Sequence, residues 1–242
     1  MKRLLLTISA VCCLAPAAYA AHPLLTTEAD PVAHKKFEAE TAVEYSGNGS
    51  EKTFILLEKV TYGLLPKADV FVTVPFKSLS GGENNEGGLS DITIGAKWHV
   101  ADYQKIKLSV QPYLNLPTGS GNRELGEGGV GFGISAIAST QLNKQLALDV
   151  NLLLGHQDYD HELEHGNYTK YRASVAGTYE ISSHLKGVAE IALAHGREDE
   201  SMIGAGVIYG ATHNLELDCG VRFGLSKTAE DYNILGGVTF KF

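Results

Sequence analysis

From Phe37 onward, apolar and polar positions alternate with a period of two almost to the last residue. Phe37, Ala39, Thr41, Val43 and Tyr45 share one face of a strand and Glu38, Glu40 and Glu44 the other, because successive side chains point to opposite sides of a pleated backbone. The pattern recurs with Ile92, Ile94, Ala96, Trp98 and Val100 against Asp91, Thr93, Lys97 and His99. It recurs again with Ile106, Leu108, Val110, Pro112 and Leu114 against Lys105, Lys107, Ser109, Gln111 and Tyr113. Leu215, Leu217, Cys219, Val221, Phe223 and Leu225 are backed by Glu216, Asp218 and Arg222. In the final run Tyr232, Ile234, Val238, Phe240 and Phe242 oppose Asn233, Gly237, Thr239 and Lys241, with Leu235 the one misfit. The whole comprises about twelve segments of roughly 8–13 residues, a length that crosses a bilayer when tilted.

The connections alternate too. Short turns are expected at Leu65–Ala68, Ala101–Gln104, Leu142–Gln145, Ser182–His184 and Ala211–Asn214. Longer polar loops are expected at Ser46–Glu51, Lys77–Ser90, Pro117–Gly128, His156–Asn167, His195–Ser201 and Lys227–Glu230. This alternation predicts an all-β fold, a transmembrane antiparallel up-and-down β-barrel of about twelve strands with its turns in the periplasm. A soluble sandwich or barrel is the competing reading, but a closed sheet of about twelve strands is too wide for one layer of side chains to fill. Aromatic residues also gather at the ends of the apolar stripes, Tyr45, Tyr171 and Tyr232 at one rim and Tyr62, Trp98, Tyr179, Tyr209 and Phe242 at the other. Two such girdles suit the two headgroup layers. Lys52–Leu64 fits least well: Phe54, Leu56, Val60, Tyr62 and Leu64 share a face with Glu58, while Ile55 and Leu57 join Lys59. Either a bulge shifts the phase there or the strand has partial lipid contact.

Residues 1–20 have the make-up of a signal peptide, with Lys2-Arg3, an apolar core from Leu4 to Leu14, and Ala18-Tyr19-Ala20 as cleavage pattern. Residues 21–36 then form a periplasmic lead-in, and 37–242 the barrel domain. Loss of Lys2 and Arg3 with the leader takes the net charge from −8 to −10, a balance that argues against nucleic acid as a partner. Cys219 is then the one cysteine left, so no intrachain disulfide is available. Mean hydropathy of −0.05 fits a wall whose apolar outside and polar inside cancel.

Three stretches resemble a known family: His22-Pro23-Leu24-Leu25-Thr26 followed by Phe37-Glu38-Ala39-Glu40, the run from Gly88 to Lys97, and Leu116-Pro117-Thr118-Gly119. The chain resembles the MetA-pathway of phenol degradation family of outer-membrane transporters over nearly all of its mature length. Thr27-Glu28-Ala29-Asp30 departs from the family's Thr-Asp-Asp. The resemblance implies a membrane-embedded barrel involved in moving aromatic or other small apolar compounds, and it assigns no functional residues.

With the polar faces turned to the lumen, Lys97, His99, Lys105 and Lys107 form a basic wall and Glu38, Glu40, Glu216 and Asp218 an acidic wall on the opposite side. Such an arrangement either sets a transverse field that selects ions or is a salt-bridged network that stiffens a narrow lumen. The run from His156 to His165 has metal-ligand character, but its spacing matches no ordered motif, and no metal site is assigned. His195, Asp199 and Ser201 lie close in sequence, which says little about triad geometry. Gly126–Gly133 leads into a strand and so builds no phosphate cradle; its glycines make room in the wall. The expected protein is not an enzyme and needs no cofactor. It is a bacterial outer-membrane channel or transporter for passive passage of small solutes. Its partners are outer-membrane lipid and lipopolysaccharide, together with the barrel assembly machinery that reads the strand ending at Phe242. The alternatives are a structural or adhesive barrel with a plugged lumen and a membrane-embedded lipid hydrolase.

Overall fold

The computed structural model describes residues 23–242 apart from 82–84, 162–163 and 198; the expected leader lies outside the described residues. Thirteen strands follow one another: β1 (Phe37–Asn48), β2 (Glu51–Leu65), β3 (Ala68–Ser80), β4 (Glu86–Leu89), β5 (Ile92–Tyr103), β6 (Ile106–Leu116), β7 (Gly128–Gln141), β8 (Leu146–His161), β9 (Glu164–Glu180), β10 (Leu185–His195), β11 (Met202–Thr212), β12 (Leu215–Gly224) and β13 (Tyr232–Lys241). All pair antiparallel, each with its neighbour in sequence except that β5 pairs with β3 rather than β4, and β1 pairs with β13 to close the wall. β4 and β5 both pair with β3, at Phe76–Leu79 and Ala68–Thr73 respectively. They are therefore one interrupted stave, and the barrel has twelve. The interruption falls opposite Pro75, which has no N–H to give the ladder; the Ser90 N–H donates to the Pro75 carbonyl at 2.8 Å where pairing resumes.

The alternation read from the sequence sets the two faces of the wall. Trp98, Phe132, Leu152, Leu193, Phe223 and Ile234 are exposed outward, whereas Glu38, Glu40, Ser135, Asn151, Ser174, Glu190 and Thr239 are buried inward. Aromatic side chains ring the outside near both ends, Phe37 on Tyr62 at one and Tyr45 on Tyr232 at the other. Leu235 points inward, buried in the lumen. β2 keeps its phase from Lys52 to Tyr62 in pairing with both β1 and β3, so no bulge rescues Glu58. Its carboxylate faces outward in mid-strand and accepts the Thr41 hydroxyl at 2.8 Å. A carboxylate on a lipid-facing wall costs less than the roughly 2–4 kcal/mol of Arg or Lys. Glu58→Leu is accordingly expected to stabilise the barrel by about 1–2 kcal/mol in urea unfolding from lipid vesicles; an unchanged midpoint would mean that the group meets water or a polar partner.

Several segments read as loops continue the wall. β1 and β2 leave Gly49 and Ser50 between them, with Gly49 at φ +55° as a tight turn requires. β8 and β9 extend to His161 and Glu164, because Gln157, Asp158 and Tyr159 find ladder partners in Tyr168, Asn167 and Gly166. The 117–127 connection keeps a genuine fold of its own. It contains a 3-10 turn at Gly121–Arg123 and is held by Asp91, whose carboxylate accepts the Gly119 and Glu127 N–H groups at 2.9 and 2.7 Å.

Candidate functional site

The lumen is occupied by the chain's own N-terminal stretch. The Lys35 N–H donates to the Gly63 carbonyl at 2.7 Å and the Gly63 N–H to Lys36 at 2.9 Å, which anchors the chain at the end where β1 starts and β13 finishes. From there residues 23–32 run inside the wall, past strand after strand. The Val32 N–H reaches Asp69 on β3 at 2.8 Å. Asp30 meets Lys107 on β6 at 2.6 Å, and its carbonyl accepts Lys97 of β5 at 3.1 Å. Ala29 is completely buried, its N–H donating to Ser139 at 2.8 Å and its carbonyl accepting Ser109 at 2.5 Å. Thr27 makes a two-way pair with the Asn151 amide at 2.9 and 2.8 Å. Glu190 on β10 accepts the Leu25 and Thr26 N–H groups, at 2.9 and 3.1 Å. The Thr26 hydroxyl lies 2.9 Å from that of Ser174 and 3.0 Å from Glu190. Finally the Pro23 carbonyl accepts Arg222 of β12 at 3.2 Å.

This segment has no strand partner, so its backbone groups would be costly to bury unpaired. The wall satisfies them with side chains instead. Small residues give it space: a Cβ on Gly63 would lie 2.0 Å from the Ala33 carbonyl oxygen, and one on Gly206 would lie 2.8 Å from Pro23.

Of the residues read as a basic wall, Lys97 and Lys107 are engaged by Asp30. His99 is buried inside and bonds Asp102 at 3.1 Å, while Lys105 is exposed in the turn between β5 and β6. Of the acidic wall, Glu38, Glu40, Glu216 and Asp218 are all buried on the lumen side. Their counter-charges are near at hand: Lys59 lies 3.8 Å from Glu40, and Lys241 and Lys186 lie 2.8 and 4.0 Å from Glu216. Lys59, Lys186 and Lys241 thus compensate acids close by, while Lys97 shares the cavity beside the segment with Glu38. Sequence reasoning missed Asp69, Asn151, Ser174, Glu190 and Arg222 as holders of the segment; inward polar positions on successive strands were the available signal.

Above the segment, toward the longer connections, the lumen widens into a polar vestibule of about 520 Å³ lined by Lys77, Asp91, Thr93, Asn115, Tyr168 and Lys170 among others. Beside the segment a cavity of about 140 Å³ remains, bounded by Leu25, Thr27, Gln111, Ser135, Asn151 and Arg172 among others. At the rim, burial raises the carboxyl pKa of Glu230 in the connection before β13; the Ser46 hydroxyl bonded to it opposes that shift and the nearby Glu44 adds to it. The His156–His165 run is split by alternation: His156 and Asp158 pair outside at 3.1 Å, while the buried side of the hairpin carries Gln157. His195 and Asp199 lie 2.5 Å apart at the exposed rim, but Ser201 turns its hydroxyl to the Ala194 backbone.

Residues 30–242 match the family model described as "Putative MetA-pathway of phenol degradation". Among solved structures, the NanC porin is 12% identical with a TM-score of 0.60, covering 84% of this chain and 100% of its own. The KdgM porin is 9% identical with a TM-score of 0.60, over 85% of this chain and 99% of its own. The translocator domain of the autotransporter NalP from Neisseria meningitidis is 12% identical with a TM-score of 0.51, over 86% and 88%. At these identities the likeness is one of fold. No curated protein matches the chain.

Proposed function

The chain belongs to the MetA-pathway of phenol degradation family, and we propose that this outer-membrane barrel, which resembles small porins, is a passive channel for small solutes whose constriction is residues 23–32. The observation that carries the reading is the pairing of an open vestibule of about 520 Å³ with a residual cavity of about 140 Å³ beside the segment. A polar surface on both sides of that gap can replace a solute's hydration in steps, which conduction requires. Aromatic and other small apolar compounds with a polar group are the cargo suggested by the family description. The turn end, with Phe242, faces the periplasm in this reading.

Single-channel recording of the refolded mature chain in a planar bilayer tests it, after a heat-dependent gel shift has verified folding. Small reproducible steps are expected. Silence from folded protein would instead support a structural barrel closed by its own segment, a reading favoured by the number of wall groups that hold residues 23–32. Lys105→Glu is expected to leave ion selectivity unchanged, since Lys105 is exposed at the rim. Lys97→Glu places an acid against the Asp30 carbonyl and is expected to shift the reversal potential toward cation preference. Equal shifts for both variants would contradict a constriction at the segment.

A further inference from the structure

Three successive cross-strand rows on β6–β9 face one quadrant of the lumen. In the lowest, Ser109, Ile137, Asn151 and Ser174 are register partners in turn, and three of the four hold the N-terminal segment. The next row is Gln111, Ser135, Leu153 and Arg172, and the one beyond it Tyr113, Gly133, Gly155 and Lys170. The two glycines make a hollow across which Tyr113 reclines: a Cβ on either would lie 2.6 Å from its hydroxyl oxygen.

The middle row is equipped but uncommitted. The Nε of Arg172 is buried with no hydrogen-bond partner among the described residues, which is costly for a polar N–H. The two carboxylates that act on Arg172 are shared with other groups. Glu190 accepts the Leu25 and Thr26 N–H groups and lies 3.6 Å from Arg222, and Glu200 lies 4.0 Å from Lys170. Arg172, Gln111 and Ser135 border one side of the cavity of about 140 Å³, with Phe71 and Leu25 adding apolar surface, while Glu28, Asp30, Glu38 and Asp69 line the rest of it together with Lys59 and Lys97. Tyr168 and Lys170, the inward residues before Arg172 on β9, line the vestibule. One strand thus carries polar groups from the mouth to the constriction.

We propose that Arg172, with Gln111 and Ser135, forms a binding site for a small carboxylate with a flat apolar body, seated in the cavity beside the N-terminal segment that these three side chains border. A guanidinium fork matches a carboxylate bidentately, the Gln111 amide and Ser135 hydroxyl complete its oxygen partners, and Phe71 and Leu25 face the apolar part. This assigns the solute class of the proposed channel and rests on that reading.

Benzoate is the probe and neutral benzamide its control, added to the vestibule side of the full mature chain during single-channel recording. Benzoate is expected to interrupt the current where benzamide does not. Arg172→Gln is expected to weaken that block at least tenfold and Arg172→Lys to weaken it less, with the unblocked conductance still present. A conducting channel whose benzoate block is absent, or is the same in Arg172→Gln, overturns the site and leaves the channel reading intact. If folded protein passes no current, the channel reading falls and equilibrium dialysis of benzoate against the refolded chain decides the site. Binding lost in Arg172→Gln supports it, and no binding overturns it.

Discussion

Deleting Pro23–Val32 is expected to raise single-channel conductance several-fold while leaving the barrel folded. The segment contributes no ladder bond to the wall, since β1 begins at Phe37, and it fills lumen that the staves do not need for pairing. Its hold on the wall is balanced. Hydrogen bonds involving a charged partner contribute roughly 1.5–3 kcal/mol each and neutral ones about 0.5–1.5, while ordering costs about 1–2 kcal/mol per residue. Summed over ten residues these opposing totals are of similar size. A wall substitution should therefore also release the segment. Gly63→Leu, whose Cβ would lie 2.0 Å from the Ala33 carbonyl oxygen, is expected to raise conductance in the same direction. Unchanged conductance in the deletion would show that the narrowest point lies elsewhere.

The largest stability effect is expected at Arg222. Only 4% of its side chain is exposed, and it lies 3.4 Å from Glu44 and 3.6 Å from Glu190, itself fully buried. Removing one partner from a buried ionic cluster leaves the remaining charge uncompensated, which costs about 3–5 kcal/mol. Arg222→Met should lose that amount in urea unfolding from lipid vesicles, and adding Glu190→Gln should recover part of it. Because Arg222 also holds the Pro23 carbonyl, conductance should rise in whatever fraction stays folded. A loss below about 1 kcal/mol would mean that water in the lumen screens the cluster far better than its burial implies.

The stave count and the inward or outward setting of most residues were legible because a period of two is imposed by the strand itself and repeated from Phe37 to Phe242. Even Glu58 was visible as a fault, and the unbroken pairing of β2 shows that the fault is real. Leu235 looked like noise and is a buried lumen residue. The length of the extended β8–β9 hairpin was hidden because polar residues such as Gln157 and Asp158 read as loop although their backbones pair. Residues 23–32 were hidden for a different reason. They carry no periodicity, and what fixes them is their backbone N–H and C=O groups meeting side chains that arrive from many staves. Only the closed wall brings Asp69, Asn151 and Glu190 round to the same short stretch. Of the two charged walls, Lys97 and Glu38 do line one cavity, but the close partners Lys59, Lys186 and Lys241 of the acids were not picked out.

The path of that stretch also orders events in time. β1 is joined to β13 by the contacts of greatest sequence separation, Phe37 with Phe242 and Glu38 with Lys241, and such distant pairings are the slowest to form. The residues that must lie inside the cylinder immediately precede the strand that seals it. Biogenesis therefore has to wrap the nascent sheet around its own beginning: the first residues wait against Glu190 and Asn151 on the half-built wall, or thread back through the open mouth once the seam is shut.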